Sequence, residues 1–217
     1  MSVFKKFCTG LFASLLSLTA QGAQPTQPAE PTQPGGEPEV GTPDQVPPSQ
    51  HEVDVSDTRE VIQVLYVSNA SEIRIADLVS ERNPDEGLRR YADELARDHA
   101  WMNKMIETLA DVKSISLEDG QLEESAQLVG SMMAQEAQNL AQKPEEEFRS
   151  AFLESMIMSH QKTLAFYSQI EAGNSDDALK ATIAISRQLV EKHLADAQRL
   201  QAGGTQPQQP TPDLPID

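Results

Sequence analysis

Residues 88–109 read LRRYADELARDHAWMNKMIETL, and the spacing of the apolar residues in this stretch decides the fold. Leu88, Ala92, Leu95, Met102, Ile106 and Leu109 recur at steps of four and three, and His99 fills the one gap in the series. Those steps keep every position on one face of an α-helix and do not fit strand alternation. Working outward, the same period gives four long helices at about 57–82, 85–112, 144–172 and 175–201. Leu122 to Gln142 is a further amphipathic segment, read as a connecting helix after a turn at Gly120.

Proline and glycine mark the ends. Asn83-Pro84-Asp85-Glu86 reads as an N-cap, a proline at the first helical position and an acidic first turn. Pro144-Glu145-Glu146-Glu147 repeats the proline and the acidic turn. Gly173 to Asp177 reads as a helix stop followed by a new N-cap. Asp57 and Glu60 have the spacing of a capping box. Two helical hairpins result, joined by a long connection. A simple up-down bundle needs only a short link there. The expected fold is therefore all-α, a ferritin-like four-helix bundle whose crossover contains an extra helix.

The ends of the chain differ in composition. Of 14 prolines, eight lie between Pro25 and Pro48 and four between Pro207 and Pro215. Such stretches bury no core. Residues 24–56 are expected to form a disordered Pro/Gln/Thr-rich linker and residues 203–217 a disordered tail, flanking a domain at 57–202. Met1 to Ala23 reads as a secretory signal peptide. Lys5 and Lys6 supply the positive start, Leu11 to Leu18 the apolar stretch, and Ala20 and Ala23 the small residues of a cleavage site. The apolar stretch is too short for a stable membrane anchor. The expectation is an exported protein of the periplasm or cell envelope with no transmembrane helix in its mature form. Cys8 is the single cysteine and would leave with the signal, which removes disulfide and thiol chemistry from the mature chain.

The formal charge is −17, and removing the signal takes away two basic residues and no acidic one, leaving −19. Such a chain repels phosphates and anionic lipid, so nucleic acid and lipid headgroups are poor partners. Cations, or a cationic envelope protein, are the favoured class.

Three of the four histidines lie on apolar stripes, and His51 alone lies in the linker. In the last helix Leu179, Ile183, Ser186, Val190, His193, Ala197 and Leu200 follow the four-three spacing; in the third, Phe152, Met156, His160, Thr163, Tyr167 and Ile170 share a face. In the first helix Glu72 shares the face of Val61, Leu65, Ala76 and Val79. Ionisable groups in a core are costly unless paired or bound to something. Glu72, His99, His160 and His193, one from each helix, could converge on a metal ion or a buried polar layer. Counted from the turns at 1.5 Å per residue, Glu72 and His99 differ in level by ~8 Å and His160 and His193 by ~9 Å, so convergence needs help from turns and side chains. Asp98, Asn69 and Glu72 are available partners for His99.

The donor set limits the chemistry. A di-iron centre of the ferritin type needs Glu-x-x-His pairs, but Ala96, Ile157 and Val190 stand three residues before the three histidines. Three histidines and one glutamate suit a single divalent ion, zinc preferred. Met102 shares a face with His99 and Met156 with His160, which gives Cu(I) a lesser claim, although methionine is also ordinary core filling. No Gly-rich phosphate loop, nucleophile-elbow serine or haem-attachment motif occurs.

Asn69-x-x-Glu72, Ala96-Arg97-Asp98-His99, Phe148-x-x-x-Phe152 leading to His160, and His193-Leu194 with Ala197 occur in this order. In these motifs the chain resembles, over about residues 58–201, a ferritin-like domain-of-unknown-function family of exported bacterial proteins, often labelled outer-membrane or periplasmic proteins. Family members often carry a Leu-Pro step before the last histidine, where this chain has Ser186-Arg187-Gln188-Leu189. The resemblance implies the ferritin-like fold and export, and no activity. The expected function is non-enzymatic: an exported bundle binding one metal ion through Glu72, His99, His160 and His193. The competing expectation is a structural or protein-interaction module in which the same residues form a hydrogen-bonded layer without metal. A metal-dependent oxidoreductase would need a vacant coordination position open to solvent.

Overall fold

Asp57 starts the first helix by accepting hydrogen bonds from the backbone N–H groups of Arg59 and Glu60. The expected capping box does not close, because the N–H of Asp57 itself is taken by the Asp54 carbonyl at 2.9 Å. This computed structural model describes residues 53–82 and 84–204. They form five α-helices: α1 (Thr58–Ser80), α2 (Glu86–Lys113), α3 (Glu124–Ala141), α4 (Glu145–Gly173) and α5 (Asp177–Gln201). A 3₁₀ turn, Asp119–Gln121, precedes α3. No strand occurs among the described residues, so the all-α reading holds. The expected signal peptide, most of the linker and most of the tail lie outside the described residues, as does Asn83.

The start of α2 differs from expectation. Asp85, not Asn83, is the N-cap, and its carboxylate accepts from the Leu88 N–H at 2.9 Å. Pro84 therefore precedes the helix instead of opening it. The packed unit also begins earlier than residue 57. Val53 and Val55 lie against the core, and the Asn174 side chain donates to the Val55 carbonyl at 2.9 Å. Two valines ahead of the helix can cover apolar surface that polar linker residues cannot.

Contacts at the helix ends fix the directions. Thr58 at the start of α1 meets Asn174 at the end of α4, and Arg82 after α1 meets Glu145 at the start of α4. Lys113 at the end of α2 pairs with Asp176, the N-cap of α5. Arg149 on α4 donates to Asp85 before α2 and to the Leu200 carbonyl near the end of α5. Thus α1 runs against α4, and α2 against α5, while each hairpin is antiparallel within itself. The connection from α2 to α4 must then travel the full length of the bundle, and α3 makes that journey alongside α1.

Two side chains on or just after α1 pin this crossover. Gln63, fully buried, donates to the Ser116 and Gln121 carbonyls at 2.8 and 3.1 Å and accepts from the Glu123 N–H at 2.6 Å. At the other end Arg82 donates to the Ala141 and Lys143 carbonyls and lies 4.6 Å over the Phe148 ring. Between them Gly130 of α3 comes so close to Val67 that a methyl group there would sit 3.0 Å from its side chain.

The core falls into two apolar clusters. One holds Val61, Leu65, Met102, Ile106, Tyr167 and Ile183 among others; the other holds Ile75, Val79, Leu88, Leu95, Phe152 and Met156. Asn69, Glu72, His99, His160 and His193 form a buried polar layer between them. The clusters supply the hydrophobic driving force. The layer interrupts it at mid-height.

Candidate metal centre

Each of the four singled-out residues is buried in mid-bundle: Glu72 and His99 are 3% exposed, His160 and His193 1%. They come from α1, α2, α4 and α5 respectively, and each occupies the seam position that its apolar neighbours dictate. The three imidazoles form a nearly equilateral triangle, with ring centroids 5.8, 5.4 and 5.4 Å apart. Counted from the helix ends, residues spent in the turn at 174–176 halve the difference between His160 and His193 to about 4.5 Å, whereas Glu72 and His99 keep theirs of about 7.5 Å, which the long glutamate side chain spans.

The hydrogen bonds orient the rings. His99 Nδ1 lies 3.1 Å from Asn69 Oδ1, His160 Nδ1 2.7 Å from the Met156 carbonyl one turn back, and His193 Nε2 3.0 Å from Asp98 Oδ2. The Met156 carbonyl and the Asp98 carboxylate are acceptors, so the facing nitrogens of His160 and His193 carry the ring proton, and His99 is set the same way where Asn69 presents its oxygen. The opposite nitrogens, His99 Nε2, His160 Nε2 and His193 Nδ1, are then left as lone pairs, buried and without a hydrogen-bond partner. One ring nitrogen from each histidine lies within 4.8 Å of the other two. Glu72 Oε2 stands beside them, 2.9 Å from His99 Nε2 and 3.5 Å from His160 Nε2, while its other oxygen accepts from the Ser159 hydroxyl.

The short Glu72–His99 approach is a hydrogen bond when the His99 ring proton sits on Nε2 and the Asn69 amide turns to donate to Nδ1. With the His99 proton on Nδ1 instead, two lone pairs face each other, and Glu72 Oε2 has no hydrogen-bond partner either. Burial pushes the Glu72 carboxyl up, but the neighbouring His160 and His99 rings, the hydrogen bond from His99 and that from Ser159 outweigh it and hold it well below the usual carboxylate range. Glu72 is therefore an anion. Burial pushes the His160 ring down to about 4, only partly opposed by Glu72. It is a neutral ring near pH 7, with its lone pair available.

Asp98 departs from the sequence reading, which offered it to His99. One residue along a helix turns a side chain through about 100°, so Asp98 points to α5 and pairs with His193 instead. Ser159 and the Met156 carbonyl were not foreseen. A serine carries no sequence signal for such a contact, and a backbone acceptor carries none at all. Met102 and Met156, the residues behind the Cu(I) alternative, belong to the apolar clusters on either side of the layer.

A pocket of about 190 Å³ at the α1–α2 end of the bundle is lined by Ala76, Asp77, Arg82, Arg89, Asp93 and others, and none of the four donors borders it. None of the described helices is long and apolar enough to cross a membrane.

No curated protein and no solved structure matches the chain. A family model described as "Domain of unknown function (DUF4142)" matches residues 43–200, a span that contains α1 to α4, all but the last residue of α5, and Glu72, His99, His160 and His193. With nearly three quarters of its length matched, the chain belongs to that family.

Proposed function

We propose that this chain is an exported, ferritin-like bundle protein that holds one divalent metal ion, zinc by preference, through Glu72, His99, His160 and His193. One observation carries the metal reading: a ring nitrogen from each of three histidines on three helices lies within 4.8 Å of the other two, the Glu72 carboxylate of a fourth helix stands 2.9 Å from His99 and 3.5 Å from His160, and His160 Nε2 and His193 Nδ1 have no hydrogen-bond partner. The up-down-down-up run of α1, α2, α4 and α5, with α3 spanning the crossover, supports the ferritin-like assignment. The N-terminal signal-like segment supports export, and the four protein donors support a non-enzymatic role, since they would complete a tetrahedral shell.

The competing reading is a metal-free hydrogen-bonded layer. A ring proton on His99 Nε2 would satisfy Glu72 Oε2, with Asn69 donating to Nδ1, but would leave His160 Nε2 and His193 Nδ1 unpaired. A water brings two hydrogens and satisfies two acceptors of the four. A cation satisfies all four at once. Tetrahedral coordination at about 2.0–2.1 Å sets ligand nitrogens roughly 3.4 Å apart. Side-chain rotations can close the present spacing, within 4.8 Å, to that value.

The test is elemental analysis of the mature protein, prepared from the periplasmic fraction without chelator or affinity tag, beside a His99/His160/His193 triple-alanine variant. About one equivalent of a single metal in the wild type and none in the variant is the expected result. No metal after reconstitution with zinc, copper, iron and manganese would leave the hydrogen-bonded layer. Recovery of the chain only in the cytoplasm would refute export.

A further inference from the structure

We propose that Asp98 determines the metal specificity of this centre: its carboxylate, held on the Nε2–H of His193, balances the charge of a divalent ion and so disfavours a monovalent one. The inference rests on the metal-binding reading above and adds a residue outside the four donors.

The argument is a count of charge. Three neutral imidazoles and the Glu72 carboxylate bring one negative charge to a nearly solvent-free layer. With these four alone, Cu(I) would give a neutral centre and a divalent ion would leave one excess positive charge. Asp98 Oδ2 lies 3.0 Å from His193 Nε2, and the Asp98 side chain is 14% exposed. Adding its charge makes the centre neutral with a divalent ion and anionic with a monovalent one. Uncompensated charge in a core is disfavoured, so this carboxylate turns the preference toward the divalent ion. It also fixes which nitrogen His193 presents. With the proton on Nε2, Nδ1 is the buried, unpartnered nitrogen left to coordinate. A carboxylate behind a ligand histidine also raises the basicity of the ring.

Arg97 does not cancel this effect. It meets the other oxygen, Oδ1, at 3.1 and 3.2 Å, and its side chain is 62% exposed, with Glu94 3.6 Å away. Water and Glu94 screen the guanidinium charge, whereas the bond to His193 faces the core.

The test compares Zn(II) and Cu(I) affinities, each by competition with a chromophoric chelator, in the full mature chain of wild type, Asp98→Asn and Arg97→Gln. The asparagine can still accept from His193, so mainly charge is removed. Zn(II) affinity should fall about 10–100-fold, while Cu(I) affinity should fall by much less or rise, since the Cu(I) centre sheds an uncompensated negative charge as the ring loses basicity. Arg97→Gln removes the surface cation and should move the Zn(II)/Cu(I) ratio the other way, by roughly twofold. Equal losses for both metals in Asp98→Asn, or no loss for either, would overturn the specificity role while leaving the metal centre standing. A wild type that binds neither metal would overturn the centre and this inference together. Thermal melts in chelator report whether Asp98→Asn is folded; if it is not, an unchanged or lowered ratio in Arg97→Gln overturns the proposal.

Discussion

His160→Ala separates coordination from packing, because His160 is as fully enclosed as any of the donors and is neutral near pH 7. Its removal takes no charge from the core. The lost packing should cost roughly 2–4 kcal/mol, by analogy with other large-to-alanine core changes, and this cost is common to metal-free and metal-loaded protein. The metal-dependent part is separate. At a free-metal concentration 1,000 times Kd, binding adds ~4.1 kcal/mol to the wild type. For a domain of this size each kcal/mol moves Tm by about 2–4 °C, so loading should raise the wild-type Tm by about 8–16 °C. If the variant binds a hundredfold more weakly, the same metal adds ~1.4 kcal/mol, or about 3–6 °C. The assay is four thermal unfolding curves: two proteins, each with chelator and with excess zinc. The difference of differences cancels the cavity term and leaves about 2.7 kcal/mol as the signature of a lost ligand. Equal rises with zinc in both proteins, or no rise in either, would refute the reasoning.

Two further outcomes test the frame around the centre. Gln63→Ala removes three hydrogen bonds between α1 and the start of the crossover and leaves the Ser116, Gln121 and Glu123 backbone groups to find other partners. It should cost about 2–3 kcal/mol in chemical denaturation with an unchanged m-value, whereas a loss below ~0.5 kcal/mol would mean that the crossover is held elsewhere. Ser114, the C-cap of α2, sits at φ 56°, ψ 40°, in the left-handed region. Ser114→Gly should therefore stabilise the protein by about 0.5–1 kcal/mol, the released strain exceeding the extra freedom gained by the unfolded chain. A destabilised variant would show that the serine side chain matters more than its backbone.

How much of this was legible follows from what period and punctuation can carry. The seam from Leu88 to Leu109 and its counterpart from Leu179 to Leu200 are buried at every position, because apolar spacing is a direct record of which helix face meets a core. The long stretch between the second and third long helices announced a crossover. It could not say that Gln63 and Arg82 would anchor it, since a buried glutamine on an apolar face looks like an exception until its partners are seen. The four donors were legible as inward-facing residues, but their common level was not. That level depends on how one helix is offset against the next along the bundle, which the spacing within a single helix does not record. The orienting acceptors were least legible. Asp98 is adjacent in sequence to His99 yet serves His193 on another helix, and the Met156 carbonyl has no side-chain identity to read.

The placement of the layer gives the proposed ion a structural consequence as well as a chemical one. Two apolar clusters lie on either side of it, and apolar packing alone tolerates small slips of one helix along another. Paired polar groups do not, because a slip by one turn leaves them buried and unsatisfied. The donors join residues as distant in sequence as Glu72 and His193, so an ion at their meeting point would close long loops and link both hairpins at once. Beyond Cys8 the chain has no cysteine with which to make such a link covalently. A metal-dependent rise in Tm should therefore be accompanied by protection of amide hydrogens in all four contributing helices around residues 72, 99, 160 and 193, and not in one hairpin alone. Protection confined to α1 and α2, or to α4 and α5, would mean that the ion is held within a single hairpin and that the four-helix centre does not form.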